Sequence, residues 1–330
     1  MNLTKIPDKK KVDHLILLVG GNPLPNVIAG SLLLNPQGRI TLVHSAETAH
    51  ISDRLVKWFQ TNKICDPNNL KPVETSATKR RVIYDTITAL VKSSQGAVGL
   101  HYSSGTKAMA VHAHAAARKA KAAIVCSYLD AQTLCLVFDD GVRRYVGMHP
   151  HYSLSVEDLF ELHGTPLHRK NASTVQNQVL PDASKDQKGE LFEKEVGRAL
   201  QSIAKEVGVH DFWMNVEAKI PQLPKEGPEF DIVALRGYQL FFISCGTTSS
   251  RSTLKLKLLE AYVRAQQIGG SEACVALACQ KSDPTLELEL QQTLQVEGRV
   301  RVFSTSTTSD LASELRGWII EQSKQGASCQ

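Results

Sequence analysis

The sequence predicts an α/β chain of two domains, and three observations carry that expectation. In the first half, short apolar runs alternate with amphipathic stretches of helical period, the order of a parallel, Rossmann-like sheet flanked by helices. In the second half the order is helix, strands, helix, strand. Between the halves lies TPLHRKNASTVQNQVLPDASKDQ (165–187), a polar stretch with Asn, Ser and Pro and no hydrophobic period, which reads as a linker. The expected division is a first domain over 1–150, a connecting helix and linker over 151–186, and a second domain over 187–330.

Composition sets the outer limits. With 330 residues, 42% hydrophobic and 22% charged, the chain can bury two ordinary cores. No low-complexity block or internal repeat is visible. The seven cysteines include no CxxC pair and no Cys-His cluster of zinc spacing; their odd number, and their place inside apolar runs, indicate reduced thiols and a cytoplasmic protein. The basic N-terminus is followed by LILLVGG, too short for a signal peptide or a membrane span, so no membrane partner is expected. A net charge of +5 permits a polyanionic partner without demanding one.

In the first half, LILLVGG (15–21) has the form of a buried strand feeding a loop, and GGNPLPN (20–26) is that loop. VIAGSLLL reads as the first helix, RITLVHS (39–45) as a strand, and HISDRLVKWFQTN and RRVIYDTITALVKSS as amphipathic helices. AVGLHYS (97–103) is the next strand, SSGTKAM its loop, and AVHAHAAARKAKA a helix; AAIVCSYLD and TLCLVFDDG are two last strands. Ligands of such sheets bind beyond the carboxyl ends of the strands. In SSGTKAM, Ser103, Ser104 and Thr106 supply hydroxyls, Gly105 lets the backbone approach closely, and Lys107 adds charge at a helix N-terminus suited to an anion. Neither loop is a P-loop or a GxGxxG fingerprint, which disfavours a nicotinamide enzyme. Taken alone, either loop reads as a solvated turn with a capping serine. His101, His112 and His114 lie close in sequence, but His112 and His114 do not share a helix face, so ordinary histidines are expected there.

LSVEDLFELHG (154–164) reads as a short helix capped by Ser155, with Asp158 three residues on. GELFEKEVGRALQSIAKEV (189–207) is a helix whose stripe is Leu191, Phe192, Val196, Leu200, Ile203 and Val207, with Glu193 beside it. DFWMNVEAKI is a strand and PQLPKEGP a loop. EFDIVALRGYQLFFISCG (229–246) is a hairpin turning at Arg236-Gly237, with Asp231 opening its first strand and Ser244-Cys245-Gly246 closing its second. LKLKLLEAYVRAQQIGG (254–270) is a helix with a double-glycine stop, and ACVALACQ and RVRVFSTST are strands. Alone, the hairpin is equally an ordinary one with a solvated Asp.

Together these features resemble a known family. The hairpin resembles that of PD-(D/E)XK nucleases, and the full order, over about residues 12–310, resembles CRISPR-associated proteins that join a CARF sensor domain to a PD-(D/E)XK, restriction-endonuclease-like domain. These are the cyclic-oligoadenylate-activated ancillary nucleases of type III systems, in the version with one CARF domain per chain. The resemblance implies a homodimer whose CARF domains bind cyclic tetra-adenylate, less often cyclic hexa-adenylate, at positions matching Asn22, Pro23, Ser103, Ser104, Gly105, Thr106 and Lys107. It implies a nuclease half that uses Mn²⁺ or Mg²⁺ to cut DNA, RNA or both in antiviral defence. Glu193 and Asp231 match the metal-binding acids, and with them the Cys245 carbonyl would complete an oxygen-rich metal site. Ser244 takes the place of the second-strand acid, and Gly246 removes the lysine that ordinarily follows. Lys255 or Lys257, with Lys257 preferred, would supply an amine from the next helix; the alternative is that both are solvated. The competing expectation is a cyclic-oligoadenylate sensor whose nuclease half has degenerated; a CARF half that cleaves its own activator is a third, for which nothing in the loops calls. Lys219, Lys225, Arg236, Arg251 and Lys255 are candidates for a nucleic-acid path.

Overall fold

The computed structural model describes residues 5–121, 123–147, 154–168, 188–219, 227–280, 284–296, 298–304 and 308–326. The chain divides into two compact units, chiefly Met1–Ser153 and, from Leu154, Leu154–Glu161 with Thr165–Ser328. The helix anticipated as a connector therefore belongs mostly to the second unit. Residues 167–168 of the anticipated linker form a strand of that unit, and 169–187 lie outside the described residues.

The first unit runs β1 (Val12–Leu18), α1 (Leu24–Leu33), β2 (Leu34–His44), α2 (Ala49–Thr61), β3 (Leu70–Glu74), α3 (Arg80–Lys92), β4 (Val98–His101), α4 (Lys107–Ala120), β5 (Val125–Asp130), β6 (Cys135–Phe138) and β7 (Arg143–Tyr145). The sheet order is β3-β2-β1-β4-β5-β6-β7. β1 is central and buried at every position but Asp13, which is why it reads as a continuous apolar run rather than an alternating one. α3 and α4 pack on one face through Ile83, Ile87, Val91, Met109, Ala113, Ala116 and Ala117, meeting Ile16, Leu18 and Leu100 of the sheet. The strands from β3 to β5 are parallel, whereas β5-β6 and β6-β7 are antiparallel. The parallel, Rossmann-like sheet expected from the alternation thus carries an antiparallel edge, where a turn at 131–134 leaves no room for a crossover helix.

The second unit runs α5 (Val156–Leu162), β8 (Leu167–His168), α6 (Lys188–Val207), β9 (Asp211–Ala218), β10 (Glu229–Arg236), β11 (Gln239–Gly246), α7 (Arg251–Gly269), β12 (Cys274–Cys279), α8 (Pro284–Leu294), β13 (Val300–Ser304) and α9 (Thr308–Gly326). Its sheet order is β13-β12-β11-β10-β9-β8, antiparallel from β8 to β11 and parallel from β11 to β13. Ser155 caps α5 as expected: its hydroxyl accepts from the Asp158 N–H (3.0 Å), and the Asp158 carboxylate accepts from the Ser155 N–H (3.0 Å). α6 and α9 pack together, and Trp318 of α9 stands edge-on to Phe241 (5.3 Å between centroids) and Phe303 (5.6 Å). Burying side chains of this size contributes about 1.5–3 kcal/mol each. Phe192, Val196, Leu200, Ile203 and Val207 are buried as the helical period required, but Leu191 is 45% exposed. It stands one residue, or about 100° of helix, from Phe192.

Candidate functional site

The hairpin brings the first group of candidate residues together. Arg236 pairs with Gln239 across a two-residue turn in which Gly237 adopts φ +61°, a left-handed conformation that glycine takes without strain. The same register pairs Ile232 with Ile243 and so carries Asp231 to Ser244. Asp231 Oδ2 accepts from the Ser244 hydroxyl (3.0 Å) and from the Cys245 N–H (2.7 Å). Lys257 Nζ is 3.8 Å from the same oxygen and donates to the Cys245 carbonyl at 2.6 Å. Lys257 reaches this point because α7, capped by the Ser250 hydroxyl, packs Leu254, Leu258 and Ala261 inward and carries Lys257 along the border of that stripe. Lys257, Ala261 and Arg264 share one helix face and line a cavity of about 470 Å³ with Glu229, Asp231, Phe242, Ser244 and Glu260.

Glu193 is half-buried on α6 and does not line this cavity. It makes no hydrogen bond or ion pair to another described residue. Burial first, and then the charge of Asp231, push its carboxyl up to about 7, with Lys257 opposing. The Lys257 charge thus only partly offsets what burial and Asp231 do to Glu193. The Cys245 thiol is held well above its ordinary range by burial, by Asp231 and by Glu193, so it stays neutral, and what that residue offers is its backbone.

The two lysines proposed from the sequence part ways here. Lys255 pairs with Glu289, which Arg251 also engages at 2.7 Å. Gly246 has a packing reason: a Cβ there would stand 2.6 Å from Cδ2 of Leu254, itself 2% exposed. The first turn of α7 thus occupies the space into which a side chain at 246 would grow. The proposed basic path is corrected at Arg236. Arg236 is 5% exposed and donates through Nη1 to the Ile319 carbonyl (2.9 Å), and Arg251 and Lys255 are held by Glu289. Lys219 is exposed, and Lys225 lies outside the described residues.

In the first unit, the two candidate loops meet. A Cβ on Gly20 would stand 2.4 Å from the Gly105 nitrogen, so the approach of the loops requires glycine at 20. Gly105 itself has φ +86°. Ser104 donates to the Asn22 carbonyl (3.2 Å), and the Asn22 side chain accepts from the Leu24 N–H (3.0 Å). Pro23 is buried, and its carbonyl receives the first amides of α1. Ser103 turns away, accepting from the Leu129 N–H. Thr106 caps α4 by accepting from the Met109 N–H (3.1 Å) and donates to the Ala77 carbonyl (2.5 Å). Lys107 is exposed at the first residue of α4. The bond to Ala77 brings a third segment, TSATKRR (75–81), to this edge with exposed Lys79, Arg80 and Arg81. The sequence reading did not single it out; its run of three basic residues at a helix start was the available signal.

No family model matches the chain, and no curated protein matches it in sequence. Solved structures do. Can2 from Sulfobacillus thermosulfidooxidans, determined in complex with cyclic tetra-adenylate, superposes with a TM-score of 0.70 at 15% identity, over 93% of this chain and 97% of that one. Protein VC1899 from Vibrio cholerae gives 0.72 at 13% identity, over 94% and 98%. A type III CRISPR defence DNA nuclease activated by cyclic oligoadenylate gives 0.58 at 17% identity, over 85% of this chain and 48% of that one, so the chain spans about half its length. The fold is accordingly the anticipated one, a Rossmann-like α/β unit followed by a second α/β unit, and it is shared with these structures.

Proposed function

We propose that the chain is a cyclic-oligoadenylate-activated, metal-dependent nuclease that works as a homodimer in the cytoplasm, in type III CRISPR antiviral defence. The observation that carries the reading is the meeting of Asp231, Ser244 and the Lys257 ammonium at the Cys245 carbonyl, on a hairpin of nuclease fold. The likeness to Can2, bound to cyclic tetra-adenylate, supports the choice of activator. No helix among the described residues is long and apolar enough to cross a membrane.

The donor set fits Mg²⁺ or Mn²⁺. Glu193 is a half-buried carboxylate without a described partner, Asp231 keeps Oδ1 free of hydrogen bonds to described residues, and the Cys245 carbonyl adds a third hard oxygen. A divalent cation held by these groups would neutralise charge developing on a scissile phosphate. Ser244, in place of a second-strand acid, orients Asp231 rather than adding charge. Lys257 sits on the carbonyl and, released from it, carries an ammonium to the attacking water or the phosphate oxygens. Thr106 and Gly105 shape the activator loop, and Lys107 with the α4 N-terminus faces its phosphates.

Cleavage of single-stranded RNA and supercoiled plasmid in Mn²⁺ or Mg²⁺, with and without cyclic tetra-adenylate or cyclic hexa-adenylate, tests the reading. Activator-dependent cutting that vanishes in Asp231→Ala supports it. Absence of cutting in the presence of tight activator binding would favour the second reading, a sensor with a lapsed nuclease half. Gly246, packed under Leu254 where the motif lysine would stand, is the observation on that side.

A further inference from the structure

We propose that His114, Cys126 and Asp139 of the first unit form a binding site for a thiophilic divalent cation of the zinc class. The proposal is independent of the nuclease reading, since none of its residues belongs to the second unit or to the two activator loops. Three elements supply the ligands: His114 from α4, Cys126 from β5, and Asp139 from the residue after β6. One ligand atom from each lies within 4.8 Å of the others. Imidazole nitrogen, thiolate sulfur and a single carboxylate oxygen make a mixed set that suits zinc rather than magnesium or calcium.

The surroundings have the form of a supported site. His114 Nε2 already meets Asp139 Oδ2 at 2.5 Å, and Tyr102 OH donates to the other oxygen, Oδ1, at 2.8 Å. A metal on Oδ2 would leave that outer bond intact, so Tyr102 would hold the carboxylate as outer hydrogen-bond partners hold metal ligands. The Tyr102 ring stands edge-on to the His114 ring at 5.2 Å. The Asp139 N–H donates to the Cys126 carbonyl (3.2 Å), tying the aspartate to the strand that carries the thiol. The His114 side chain is 36% exposed and that of Asp139 22%, so an ion can enter, whereas Cys126 is 2% exposed. Zinc bonds of about 2.0–2.3 Å at tetrahedral angles set ligand atoms roughly 3.3–3.8 Å apart. Nε2 and Oδ2 would therefore part from 2.5 Å as the ion displaces the proton between them, while the atoms now up to 4.8 Å apart would close. On binding, the Cys126 thiol gives its proton to buffer, and the His114 proton moves to Nδ1, leaving Nε2 as the ligand. Without metal, burial, and next the charge of Asp139, push the thiol up to about 12, so only a bound cation makes it a thiolate.

The test uses the full chain with Co²⁺ as the spectroscopic stand-in for Zn²⁺. A near-ultraviolet thiolate-to-cobalt band is expected, erased by added Zn²⁺, absent in Cys126→Ser and retained in Asp231→Asn. His114→Gln, at a partly exposed helix position, should retain the fold and lower Zn²⁺ affinity by at least the roughly 10–100-fold that losing even a supporting group costs. Absence of the band in the wild-type chain, its persistence in Cys126→Ser, or unchanged Zn²⁺ affinity in His114→Gln would each overturn the assignment and leave the cluster as a hydrogen-bonded network around Asp139.

Discussion

Lys257 Nζ lies 2.6 Å from the carbonyl oxygen of Cys245, the residue directly before Gly246. An ammonium from α7 thus arrives beside the Asp231 carboxylate, near the end of the hairpin's second strand. It also occupies one of the three oxygens proposed to hold the metal, so lysine and cation compete for that carbonyl.

The first prediction follows from this double role. Lys257→Ala should lower activator-dependent cleavage by about 10²–10³-fold, the usual effect of removing one preorganised electrostatic group. The same variant should bind Mn²⁺ more tightly by calorimetry, because a positive charge 3.8 Å from Asp231 Oδ2 is removed. Full cleavage would refute the migrated-lysine role, and weaker Mn²⁺ binding would refute the competition.

Returning the lysine to the hairpin should not repair the site. A side chain at 246 meets Leu254 at 2.6 Å from its first carbon. Gly246→Lys is expected to cost about 1–3 kcal/mol by overpacking, seen as a lower melting temperature, without raising cleavage. Gly246→Lys with Leu254→Ala should recover part of the loss. A single variant as stable as the parent would show that Leu254 does not fill this space.

Much of this was legible in the sequence, for physical reasons that differ by element. Central strands such as β1 and β12 announce themselves as apolar runs because both faces are covered. β3 (LKPVE) and β7 (RRY) are short edge strands with little to bury, and they were not foreseen. α8 was missed because PTLELELQQTL alternates leucine and glutamate with a strand-like period of two. α9 carried its signal in Leu311, Leu315, Trp318 and Ile319 and was nevertheless passed over. At the site, Asp231 and Glu193 were singled out through family resemblance, and the hairpin register sets Asp231 beside Ser244. The choice between Lys255 and Lys257 depended on which face α7 turns to the sheet, and that is set by Leu254, Leu258 and Ala261 together.

In the activator loop, Thr106 and Lys107 should separate. Thr106→Ala removes a cap on α4 and a bond to Ala77 and should cost about 0.5–2 kcal/mol of stability. Lys107→Ala, exposed and outside any hydrogen bond named above, should leave the melting temperature within about 1 °C while weakening cyclic tetra-adenylate binding by calorimetry. Unchanged affinity in Lys107→Ala would move the phosphate contacts elsewhere, with Lys79, Arg80 and Arg81 the next to substitute.

Glu193 gives the pH dependence. Its carboxyl is raised from an ordinary 4.5 to about 7 by burial and by Asp231, so between those values the folded protein binds more protons than the unfolded chain. Stability contributed by the protonated group is therefore present at low pH and lost as pH rises through about 7. In chelator, the parent's melting temperature should fall relative to Glu193→Gln across that window and run parallel to it above. With Mn²⁺ the sign reverses, because the cation requires the deprotonated acid: affinity should climb with pH up to about 7 and then level, with proton uptake by the buffer visible in calorimetry. Melting curves that stay parallel from pH 4.5 upward would show that Glu193 is not under the strain its surroundings imply. A pH-independent Mn²⁺ affinity would remove it from the metal site while leaving Asp231 and the Cys245 carbonyl in place.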